Sequence, residues 1–178
     1  MAMFHRTVRR KKGPDLFDFM IYSGIAMSAN LLLGGCTGIL LLALSTNCFA
    51  ASCEYVLAAL QKDHHLSLVK QTPEKLTTEY RDGPNITLSL FCPFDKPNVM
   101  VSWDGQNPNQ QFYDLVGRAG SLISPRTATD IVEVSKRCRR QAINGVGEIA
   151  SIEQKDLVIE CQAFNRDGGA TIVFVFAQ

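Results

Sequence analysis

The sequence has no excess of glycine or proline, with 13 and 7 in 178 residues. That lack excludes collagen-like, mucin-like and low-complexity chains. None of the six cysteines forms a C-x-x-C pair, which removes a thioredoxin-type redox centre and a zinc ribbon. An H-E-x-x-H pair is also missing, as are a Walker loop and a nucleophile elbow. The formal net charge is only +1, so no dominant polyanionic partner is expected, nucleic acid included. Charge of either sign is absent between Asp18 and Glu54. Internal repeats are missing too, and the length allows one folded domain plus a tail.

The uncharged gap carries the first positive signal. Residues 1–50 hold a net +3 and residues 51–178 a net −2. A basic cluster (Arg6, Arg9, Arg10, Lys11, Lys12) precedes the apolar run Leu31–Leu44, and small residues follow in Cys48-Phe49-Ala50. A positive segment, an apolar segment and a small-residue cut site form the grammar of a secretory signal. Residues 1–50 are therefore read as a signal peptide, with a basic region at 1–18, an apolar region at 19–47 and cleavage at Ala50/Ala51. The expected location of residues 51–178 is periplasmic or secreted.

Two rival readings keep a membrane partner. Phe19 to Leu44 is long enough to span a ~30 Å hydrocarbon core as an uncleaved anchor, with the domain outside the cytoplasm. Leu33-Gly34-Gly35-Cys36 loosely resembles a lipobox with Cys36 lipidated, although the apolar run continues past it. Arg9-Arg10 is a poor twin-arginine signal, because Lys11, Lys12 and Gly13 follow. A later translation start at Met20 or Met27 is compatible with the same grammar.

Cleavage leaves four cysteines: Cys53, Cys92, Cys138 and Cys161. An even count in a small exported domain predicts two disulfides. Each cysteine shares the phase of a core-facing stripe: Cys53 with Val56, Leu57 and Leu60, and Cys138 with Ile131 and Ala142 at helical spacing. Cys92 alternates with Leu88 and Leu90, and Cys161 with Leu157 and Ile159, at strand spacing. Of the three connectivities, Cys53–Cys92 and Cys138–Cys161 is preferred, tying each helix to the strand after it.

A helix is expected over Cys53–Lys62, capped by Ser52. Asp63–Pro84 is polar, with a short strand or helical turn near Leu66–Val69 and a strand at Leu76–Tyr80 as candidates. Asn85–Phe91 and Val99–Trp103 alternate as hairpin strands. Helices follow, one capped at Asn107 or Asn109 and stopped at Ser124-Pro125, the next over Ala128–Ile143 behind Thr127. Glu148–Glu153, Asp156–Phe164 and Ala170–Phe176 are strand-like, the last two joined by the turn Asn165–Gly169. The fold class is α+β: an antiparallel sheet of about four or five strands with three helices packed on one face.

Candidate chemistry is sparse. Lys136, Arg137, Arg139 and Arg140 flank Cys138 and form a basic patch, either an anion contact or a solvated face favoured by the helix dipole. Trp103, Asp104, Asn107 and Asn109 belong to an amide-rich loop beside the only tryptophan, able to bind a sugar or peptide, or simply to turn. His64 and His65 are adjacent and point apart in an extended segment, so they make a poor metal pair. Glu160 sits mid-strand opposite Cys161. Asn85-Ile86-Thr87 matches the glycosylation sequon. No catalytic residues, metal ligands or cofactor are assigned. The expected function is binding to an unknown protein or envelope component, with an anchored accessory subunit as the alternative and a small hydrolase behind both.

Overall fold

The computed structural model describes residues 51–178. The proposed signal, anchor and Cys36 lipidation site lie outside them. Ser52 accepts a hydrogen bond from the Tyr55 amide at 3.2 Å and starts helix α1 (Cys53–Gln61). Asn109 does the same for α2 (Gln110–Ile123) through Phe112 at 3.0 Å, and Thr127 for α3 (Ala128–Asn144) through Asp130 at 3.1 Å. Each cap satisfies one of the free amides of a first turn.

Seven strands form one antiparallel sheet: β1 (Ser67–Gln71), β2 (Thr77–Asp82), β3 (Ile86–Phe91), β4 (Asn98–Asp104), β5 (Ile149–Gln154), β6 (Leu157–Phe164) and β7 (Ala170–Ala177). Their order is β1-β2-β3-β4-β7-β6-β5. The expected four or five strands are thus too few. β1 and β2 are the extra pair, and their composition explains why they were faint. SLVKQ is exposed along nearly its whole length, and TTEYRD carries a single apolar side chain. Backbone pairing of β1 with β2 and of β2 with β3, rather than an apolar stripe, holds them.

The register stacks the core in rows. Leu88, Val101, Val173 and Cys161 lie side by side across β3, β4, β7 and β6, and Leu90, Val99, Val175 and Ile159 form the next row. All eight are buried. Residues of opposite parity (Met100, Ile172, Phe174, Phe176, Val158) are only half-buried. Helix α3 lies against β5 and β6, α2 against β4 and α3, and α1 against α2. A side chain on Gly117 would come within 2.7 Å of the Ala128 carbonyl, so the α2–α3 approach requires a residue without a Cβ.

Both disulfides join the expected pairs. Cys53 in α1 is bonded to Cys92 just after β3, and Cys138 in α3 to Cys161 in β6, with Cα separations of 5.9 and 5.8 Å. These distances are ordinary for the bond. The sheet therefore comprises two meanders, β1–β4 and β5–β7. They are joined by the β4–β7 ladder from Asn98↔Phe176 to Asp104↔Ala170. One disulfide ties each meander to a helix.

Candidate functional site

The basic patch and the amide-rich loop, far apart in sequence, meet at one end of the sheet. Strand β4 ends at Asp104, and the Gly105 amide donates to the Gly169 carbonyl at 3.0 Å, pinning the loop to the β6–β7 turn. Gly169 has φ +85°, and a Cβ there would sit 2.6 Å from the Gln106 Cα. Conformation and space both demand glycine.

From α3, the Arg139 guanidinium donates to the Gln106 carbonyl at 2.7 Å and to the Thr171 hydroxyl at 3.0 Å. Lys136 donates to Gln110 at 3.0 Å and lies 5.0 Å from the Tyr113 ring centroid. The four cations are therefore not equivalent. Lys136 and Arg139 are half-buried and clamp the 105–113 segment, whereas Arg137 and Arg140 are exposed. A uniformly solvated arc does not describe the patch. Burial pushes the Tyr113 phenol above its ordinary pKa, against the opposing pull of Arg139 and Arg140. The hydroxyl therefore stays protonated at neutral pH.

Trp103 packs edge-on against Phe112, with centroids 6.4 Å apart, and Phe112 does the same to Tyr113 at 5.2 Å. The Trp103 indole N–H is buried without a hydrogen-bond partner among the described residues. Asp104 and Asn107 are exposed, and Asn109 is engaged as the α2 cap. This end of the sheet thus offers Asp104 and Asn107 from the loop and Arg137 and Arg140 from α3 to solvent above a rigid base. Gln106, Tyr113 and Thr171 complete that base. No pattern in the chain points to them, because a backbone carbonyl and a non-local hydroxyl carry no spacing signal.

Elsewhere, His64 and His65 are both exposed, and the neighbouring Asp63 carboxylate is turned to Arg118 at 3.2 Å. Among the described residues, no group of three His, Cys, Asp or Glu side chains converges as a metal site. Glu160 is half-buried on the face opposite Cys161, where its carboxylate accepts from Gln162 at 3.1 Å.

A cleft of about 650 Å³ lies between α1 and β1–β2, bordered by the Cys53–Cys92 bridge, Leu57, Gln71 and Asp95. Beside it Phe94 is 96% exposed, in a left-handed backbone conformation continued by Asp95. The Asp95 carboxylate accepts from the Cys53 amide at 3.1 Å, so this loop is also fixed. Comparisons with protein-family models, with curated proteins and with solved structures return no match for this chain.

Proposed function

We propose that residues 51–178 form an exported domain that works by binding a partner in the cell envelope or outside the cell. One observation carries the reading: a half-exposed apolar band crosses the middle of the sheet. Phe174 and Phe176 stack in parallel, 5.9 Å apart, with Met100 opposite Phe174 on β4 and Val158 opposite Phe176 on β6. An antiparallel sheet with one solvated face ordinarily turns polar residues outward. Contiguous apolar surface instead marks interaction sites.

The reading includes all three helices on the opposite face. Supporting it, Cys53 and Cys138 reach Cys92 and Cys161, which share the parity of the buried rows, and a Cβ on Gly120 would touch Val175 at 3.4 Å. Export is supported by the order of basic, apolar and small residues in 1–50 and by two disulfides, a feature of oxidising compartments.

Placing the photoreactive p-benzoylphenylalanine at position 174 in the native host tests the binding reading. A discrete adduct that is absent when the same group replaces exposed Val146 is expected. Equal labelling from both positions, or none from 174, would sink it. A second reading, an accessory subunit held by an uncleaved apolar segment, is favoured by the uncharged stretch from Phe19 to Leu44. Carbonate extraction separates the two, since only the anchored form stays with the membrane.

A further inference from the structure

The two outer strands of the sheet are guarded very differently. In β1 the pairing register slips between Leu68 and Lys70, and Lys70 is exposed at the slip. A bulge and a lysine are standard devices against edge-to-edge association. β5 has neither. All six of its residues pair with β6 without interruption, its sequence IASIEQ holds no lysine or proline, and Ile149 is 55% exposed.

The ladder fixes which β5 backbone groups are free. The Ala163 amide donates to the Glu148 carbonyl at 2.9 Å, so 148/163 is a hydrogen-bonded pair. Alternation along an antiparallel ladder makes Ala150/Cys161 and Ile152/Ile159 pairs of the same kind. The N–H and C=O groups of Ile149, Ser151 and Glu153 therefore point away from β6. β5 ends the sheet among the described residues.

We propose that this edge pairs with the β5 edge of a second copy of the chain, antiparallel about a twofold axis through Ser151. That axis, perpendicular to the sheet, keeps each face continuous. Parity then admits a centre on any single residue, and centres on Ser151 or Ile152 give the greatest overlap of the two strands. Centring on Ile152 would set Ile149 against Lys155 in the turn, outside the strand. Centring on Ser151 sets Ile149 opposite Glu153, Ala150 opposite Ile152, and Ser151 opposite itself. No like charges meet, and the apolar row ending in Ala150 runs on into the row that begins at Ile152 of the other copy. Two seven-stranded sheets become one. The inference does not depend on what the apolar band binds.

The mass of the oxidised, native-source protein in solution, by light scattering or sedimentation equilibrium, is the first test. It should rise to twice the chain mass with concentration. Ser151→Pro removes an outward N–H without removing a ladder bond, and should raise the dimer dissociation constant by about tenfold or more. Ser151→Cys should give a covalent dimer without reductant, and Lys70→Cys on the guarded edge should not. Unchanged circular dichroism shows that the variants fold. A monomer at every concentration, a dimer indifferent to Ser151→Pro, or equal cross-linking from both edges would each overturn the proposal. Pairing of the β5 edge only with a strand of a different protein would appear as the first of these.

Discussion

Ser135 is fully buried in α3, and its hydroxyl has no hydrogen-bond partner among the described residues. An unpaired buried hydroxyl is a desolvation cost with nothing to offset it. Ser135→Ala should therefore stabilise the domain by about 1 kcal/mol, helped by the better helix propensity of alanine. Urea denaturation measures this, and a loss of stability would show that the hydroxyl serves the fold. Arg126 and Asp156 give a second single-residue test. The guanidinium meets the carboxylate with Nη2 at 2.7 Å and Nε at 2.9 Å, and holds the Asp156 pKa below its ordinary value. The folded state then binds this proton less readily than the unfolded chain, so the pair's contribution is complete above about pH 4 and lost as pH falls through the lowered value. Arg126→Gln should flatten that acid limb and return the Asp156 pKa towards an ordinary carboxylate. NMR titration of the side chain reads the shift directly.

At the scale of elements, turn chemistry sets the clamped loop after β4. Gly169→Ala would impose a left-handed conformation and a clash on the Gln106 backbone together. The expected cost is about 2 kcal/mol, with a change in Trp103 fluorescence as the clamped loop shifts. An unchanged spectrum and unchanged stability would mean that the loop is not held at this turn. The same scale shows what was legible in the chain. Helices α1, α2 and α3 were readable because Val56-Leu57-Leu60 and Phe112-Leu115-Val116-Ala119 repeat at helical spacing behind capping residues. Strands β3, β4, β6 and β7 alternate or run apolar and were readable for the same reason. β1 was faint because an edge strand held by backbone pairing needs no apolar face, and β2 because its buried side chains are Thr78, Tyr80 and Asp82. Of the site, only its two halves could be read. The clamp from Arg139 to Gln106 and Thr171 depends on three distant segments meeting, and a linear pattern does not encode that.

For the whole molecule, the disulfides decide how much stability survives a change of redox conditions. Each contributes about 2–4 kcal/mol by restricting the unfolded chain, and a domain of this kind has about 5–15 kcal/mol in total. Reduction should lower the midpoint of thermal unfolding sharply, as followed by circular dichroism with and without dithiothreitol. An unchanged midpoint would show that the core alone suffices. In the same preparation, the intact mass should lie about four hydrogens below that of the reduced chain, and its first residue would locate any cleavage.

The pairing of each cysteine with the next one in the described domain also governs assembly. A chain that reaches an oxidant with its N-terminus first presents Cys53 and Cys92 before Cys138 has appeared, and each half of the sheet can lock as it arrives. Among the four cysteines of the described residues, no earlier thiol has to wait past a wrong neighbour for its mate. Such a chain needs something to remove electrons, and nothing to reshuffle bonds already made.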